Sequence, residues 1–208
     1  MSSFLYYLAT AGESVLSVFG VRGTYEQPKY TVVGHIDPDV ELRAYPQRVA
    51  VETTMRNGND GEAFGRLFRY ITGANKAADK IAMTVPVEMK PPTGGEKIAM
   101  TVPVQVGGSE NTMRFFLPQS VVAKGPPAPT DPLVHIVTLP PQTFAVLRFS
   151  GVIDDAVRDA HEKALLAAVK GAGKQIEGTP SVLSYDPPFA VPFLRRNEVA
   201  VQVADPGT

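Results

Sequence analysis

The chain contains no cysteine. That excludes a disulfide framework, a thiolate zinc site, an iron–sulfur cluster and covalent c-type heme attachment. A surplus of charge is missing too. The 20 basic residues face 21 acidic ones, for a net charge of -1, so the basic excess of a nucleic-acid binder is absent. Histidine is scarce: His35, His135 and His161 lie far apart in sequence. Without H-E-x-x-H or a carboxylate–histidine cluster, no conventional metal site is expected. Neither G-x-S-x-G nor S-x-x-K occurs. A phosphate loop is also lacking, because the glycines at 94–95 and 107–108 open no helix. Carboxylates such as Glu52, Glu62 and Asp186 are free to converge in space, but nothing selects an acid–base pair among them. No apolar run is long enough to span a membrane. Residues 1–23 are moderately apolar, carry Glu13, and have no Lys or Arg before Arg22. The basic start of a secretory signal is thus missing. A short helix docked on the domain is expected there, with an interfacial membrane helix or a degenerate export signal as alternatives. A cytoplasmic location is expected, with a peripheral-membrane or exported protein as the alternative.

What the chain does contain is a repeat. Lys80-Ile81-Ala82-Met83-Thr84-Val85-Pro86-Val87 recurs unchanged as Lys97-Ile98-Ala99-Met100-Thr101-Val102-Pro103-Val104. Each copy is apolar and β-branched, and Pro91-Pro92-Thr93-Gly94-Gly95 between them is turn chemistry, which predicts a β-hairpin. The prolines belong at its ends, bulges or edge.

Around the repeat, strands are expected from Tyr30, over residues 40–54 as one strand or a bent pair, and over 112–117, 133–139, 144–149, 182–185 and 198–203. A helix is expected over 61–72, with Asp60 as cap, Phe64, Leu67, Phe68 and Ile71 as its apolar stripe, and Arg66, Arg69 and Tyr70 on a different face. A second is expected over 153–169, with Val157, Ala160, Ala164, Leu165 and Ala168 as its stripe. Asp154–Arg158 and Asp159–Lys163 make i,i+4 ion pairs on it. His135 shares a half-buried face with Leu133 and Val137, His161 sits at a boundary, and His35 lies in an exposed turn. Strands, helix, strands, then the same again, predict a pseudo-twofold α+β domain over residues 24–208.

Five blocks carry a family likeness: Gly73-Ala74-Asn75-Lys76 with the first repeat copy, Phe115-Phe116-Leu117-Pro118, residues 145–151, Tyr185-Asp186-Pro187-Pro188, and Arg195-Arg196-Asn197-Glu198-Val199. In this order they resemble the SOUL heme-binding proteins. The resemblance implies a distorted antiparallel β-barrel with two packed helices, similar to effector-binding modules of bacterial regulators. No helix-turn-helix precedes it here, so no DNA-reading half is expected.

It also implies non-covalent, non-catalytic binding of heme or a related porphyrin. The ligand would lie between the first helix (Phe64, Arg66, Leu67, Phe68, Arg69, Tyr70) and the loop before the last strand (Phe189, Phe193, Arg195, Arg196). A flat apolar disc with two propionates needs an apolar wall and a cationic rim, which arginine supplies. Two family features are missing. Ala44 occupies the place of a histidine proposed as axial ligand in some members, and a lysine of some relatives falls near Phe189 or Ala190. Tyr70, a methionine or a displaced histidine would then have to serve, or no protein ligand at all. A module for other flat or amphiphilic ligands, and a hydrolytic or tetrapyrrole-modifying enzyme, remain alternatives.

Overall fold

The computed structural model describes residues 26–55, 60–76, 95–108, 111–186 and 190–204. Eleven strands and three α-helices are assigned among them. Nine strands form one curled antiparallel sheet, a half-barrel in the order β1-β2-β9-β11-β10-β5-β6-β3-β8. These are β1 (Thr31–Asp37), β2 (Val40–Tyr45), β3 (Arg48–Thr54), β5 (Val104–Gly107), β6 (Thr112–Phe116), β8 (His135–Leu139), β9 (Gln142–Phe149), β10 (Ile176–Ser184) and β11 (Asn197–Val203). Two short strands, β4 (Asn75–Lys76) and β7 (Ala128–Pro129), pair separately. The helices are α1 (Asp60–Ile71), α2 (Gln119–Lys124) and α3 (Asp155–Gly171).

The expected pseudo-twofold is visible in the pairing. From the β5·β10 seam the sheet runs β5-β6-β3-β8 one way and β10-β11-β9-β2 the other. In the first half α1 follows β3; in the second α3 follows β9. Registers match as well. Arg48 at the start of β3 pairs with Leu139 at the end of β8, and Gln142 at the start of β9 pairs with Tyr45 at the end of β2. Val106 and Val182 pair with each other across the seam, on the axis itself. Proline occupies both matched two-residue turns, Pro46-Gln47 and Pro140-Pro141; lacking an N–H, it suits the break between strands.

Successive side chains of a strand point to opposite faces. One sheet face carries aliphatic residues and packs the helices. Val51, Met113 and Phe115 meet Ala63, Leu67, Tyr70 and Ile71 of α1, while Val40, Leu42, Ala145, Val199 and Val201 meet Leu165 and Val169 of α3. The other face is polar and aromatic, with Arg43, Tyr45, Arg48, Phe116, Phe144 and Glu198.

Several expectations shift. The buried stripe of α1 is Ala63, Leu67, Tyr70 and Ile71, rotated from the predicted one. Small Ala63 and amphipathic Tyr70 face the core, and Phe64 and Phe68 are left outside. On α3, Leu165 and Val169 are buried, whereas Ala160 and Ala164 are exposed. Asp154 does not pair with Arg158. Its carboxylate accepts from the Val157 amide at 2.8 Å as N-cap, and Arg158 turns to Asp155 at 2.5 Å. His135 is exposed rather than half-buried, and α2 was not foreseen.

The second repeat copy becomes regular strand only at Val104. Before that it is irregular, with one bridge from Thr101 to Glu26 and a cis Val102–Pro103 bond. The first copy, most of the predicted hairpin, residues 1–23 and Phe189 lie outside the described residues. Among the described residues, no helix is long and apolar enough to cross a membrane.

Candidate functional site

Helix α1 forms where Asp60 and Glu62 meet its positive end and Arg69 its negative end. It stops where Gly73 takes φ +121°, a conformation that favours glycine. The buried Asn75 amide donates to the carbonyls of Tyr70 (2.7 Å) and Glu96 (2.8 Å) and accepts from the Glu96 amide (2.9 Å). A Cβ at Gly95 would fall 1.8 Å from the Gly73 carbonyl oxygen, so only glycine permits this approach. Asn75 of the first family block thus fastens the chain on both sides of 77–94 against the end of α1.

With that anchoring, α1 presents two different flanks. Towards the seam, Phe64 and Phe68 stack with centroids 5.9 Å apart and planes 13° from parallel. Phe64 also meets the buried Phe115 of β6 edge-on at 5.3 Å. Both rings nevertheless stay open to solvent, at 38% and 43% exposure. Arg69 lies exposed one residue on, and its Nη1 is 3.6 Å from where a Gly65 Cβ would stand. The guanidinium therefore folds back along the helix over Gly65, and, behind the Leu133 amide and Arg66, its charge helps to hold the Asp131 carboxyl below its usual range. On the opposite flank, towards β8, Arg66 donates to Glu62 at 2.6 Å and Asp131 at 2.8 Å. It borders a cavity of about 60 Å³ together with His135.

The nine predicted site residues therefore divide. Arg69 lies exposed on the outer side of the helix, and Phe64 and Phe68 share one open face. Arg66 is turned away from it and already paired; its carboxylate partners hold the guanidinium above its usual range, Glu62 most strongly. Leu67 is sealed in the core. So is Tyr70, whose hydroxyl donates to the Pro127 carbonyl at 2.8 Å. Burial, with the charge of Glu96, pushes that phenol up to about 12, and the side chain backs the face rather than forming it. Phe193 is 75% exposed. With Arg195, whose Nε donates to the Ala190 carbonyl at 3.0 Å, it borders a separate cavity of about 640 Å³. Glu41, Arg43, Val146 and Arg148, from the sheet face away from the helices, line it too.

The blocks around Tyr185 and Glu198 lead to a charge cluster that the sequence did not reveal. Glu198 is fully buried. It accepts from Arg43 (2.7 and 3.1 Å), Arg196 (2.9 and 2.7 Å) and the Tyr185 hydroxyl (2.7 Å). Arg43 also reaches Glu41 at 2.7 Å, and the Arg196 guanidinium lies 4.0 Å from the Tyr185 ring centre. Burial alone would raise the Glu198 carboxyl; the hydrogen bonds and charges of Arg43 and Arg196 hold it below the usual range instead. Burial pushes the Tyr185 phenol upward. The pairing of Tyr-x-x-x and Arg-Arg-x-Glu blocks was the available signal, since buried charges require partners.

Known proteins agree with this architecture. The family model described as SOUL heme-binding protein matches residues 25–202. Heme-binding protein 1 of Mus musculus is 28% identical over 190 residues, covering 88% of this chain and 94% of that protein. The crystal structure of the EcmrR C-terminal domain superposes with a TM-score of 0.50, covering 84% of this chain and 98% of that one. At 12% identity that likeness concerns the fold alone.

Proposed function

We propose that this chain, which belongs to the SOUL heme-binding protein family, binds heme or a related porphyrin on the seam-facing flank of α1 and carries or buffers it without turnover. The observation that supports this reading is the exposed, stacked Phe64–Phe68 pair, on the same helix as the exposed Arg69. Paired exposed aromatic rings are costly in water and are the surface a planar macrocycle covers. Arginine bonds a carboxylate through two parallel N–H groups, so Arg69 is the proposed propionate partner. When bound, the porphyrin would supply its own iron chemistry; the chain's part is to shield one face and hold the rim. Phe193 and Arg195, with Phe189, are proposed as a second contact from the closing loop.

Hemin titration followed by Soret absorbance tests this. Wild type should shift the Soret band saturably at micromolar concentration. Phe64→Ala with Phe68→Ala should weaken binding strongly, Arg69→Ala less, and Arg66→Ala scarcely. An unchanged hemin spectrum with wild type would reject the reading. Equal affinity in the double phenylalanine variant would reject its location.

A further inference from the structure

On the sheet face away from the helices, the matched residues of the two halves meet near the pseudo-twofold axis. Arg48 begins β3 and Gln142 begins β9, and an Arg48 Nη donates to the Gln142 side-chain oxygen at 3.0 Å. Gln105 of β5 donates to the Ser181 hydroxyl of β10 at 3.1 Å. All but Gln142 border two adjoining cavities, of about 20 and 220 Å³, which Phe144 also lines; Gln142 joins the larger.

The guanidinium here is unlike the others around it. Arg43 and Arg196 share Glu198, and Arg114 pairs with Glu52 at 2.5 Å. Among the described residues, Arg48 has no carboxylate partner, and its buried Nε is the side-chain nitrogen without a hydrogen bond. Three rings surround it, with centroids at 4.3 Å (Tyr45), 5.2 Å (Phe116) and 5.4 Å (Phe144). Burial pulls this guanidinium down to about 10, and the neighbouring Arg114 adds to the effect. Its one side-chain acceptor, Gln142, passes a hydrogen bond on to Gln202 and thence to Glu177, each at 2.8 Å. That chain leaves Nε unused. A buried cation with a free donor is costly to maintain unless an anion completes it.

We propose that this axial cavity binds a small aromatic carboxylate, its carboxylate on Arg48 and its ring in the larger cavity against Phe144. A carboxylate accepts from Nε and a terminal nitrogen together, and the Phe144 ring on the wall of the larger cavity suits an aromatic body better than phosphate or sulfate. Size decides against the porphyrin. At about 220 Å³ the larger cavity falls below the roughly 300–1,000 Å³ of sites for drug-sized ligands. The site is therefore separate from the α1 face and stands whether or not heme binds there.

Benzoate is the probe, with benzyl alcohol as its neutral counterpart and sodium chloride as ionic control. In thermal denaturation, millimolar benzoate should raise the wild-type Tm saturably, whereas benzyl alcohol and chloride should not. Arg48→Met should abolish the shift, fold at least as stably as wild type, and keep its hemin titration. In wild-type protein alone, the Arg48 Nε–H resonance should move downfield as benzoate is added, which needs no variant. A shift matched by chloride, an equal shift in Arg48→Met, or a stationary Nε–H resonance would overturn the proposal and leave a single ordered water as the partner of Arg48.

Discussion

The two halves of the sheet share a frame but spend their side chains differently. In the second half, Arg43 of β2, Glu198 of β11, Arg196 just before that strand and Tyr185 build a charge cluster around a buried carboxylate. By the matched registers, Glu198 corresponds to Thr112 and Arg43 to Val137 in the first half, and no such cluster is possible there. The helices differ in the opposite sense. The outer surface of α3 carries Asp155, Asp159, Lys163 and Lys170, a solvated face. The seam flank of α1 keeps two phenylalanine rings in water. The half that buries the Glu198 cluster thus carries a charged outer helix face, and the other half leaves the Phe64–Phe68 pair of its helix in solvent. Duplicate topology constrains where strands go, not which half acquires a site.

Breaking the charged half should have the largest effect. Glu198→Ala leaves two buried guanidiniums without their acceptor and should cost about 3–5 kcal/mol in urea unfolding, against about 1 kcal/mol for Thr112→Ala at the matched position. The acid limb follows the same cluster. Because the Glu198 carboxyl is held below its ordinary value of 4.5, its contribution is complete above that pH. It is lost as pH falls through the lowered folded value. Acid unfolding of wild type should thus gain stability with rising pH in that range, a slope that Glu198→Gln flattens.

Next in size is the proposed ligand face. Phe64→Ala with Phe68→Ala should weaken hemin at least about tenfold, since covering one ring is worth about 1.5–3 kcal/mol. Arg69→Ala should cost a few-fold, about 1 kcal/mol for a partly solvated charged hydrogen bond. The smallest effect falls on α3. Asp154→Ala removes the cap on Val157 and should lower stability by about 1 kcal/mol while leaving hemin affinity unchanged.

Much of the frame was legible from the chain. Alternating apolar residues marked β9 and β11, and the repeated strand–helix order marked the two halves. Helix orientation was harder to read. Phe64 and Phe68 outweigh Ala63 and Tyr70 on any hydropathy count, so the stripe was placed about one position off. The displaced reading conceals the most telling feature of α1, that both its phenylalanines face outward. The family resemblance puts Arg66 at the rim, and spacing cannot show that Glu62 and Asp131 already hold it. The Arg43–Glu198 contact joins residues 155 positions apart, and Arg48 meets Gln142 only through the pseudo-twofold. Neither leaves a local pattern to detect.

The most direct test exploits the iron of hemin, whose paramagnetism broadens nearby amide resonances, with zinc protoporphyrin as the diamagnetic control. Binding on the seam flank of α1 predicts selective loss of amide signals from residues 61–72 and 112–116, with the outer face of α3 retained. Broadening centred on α3, or spread evenly over the molecule, would contradict it.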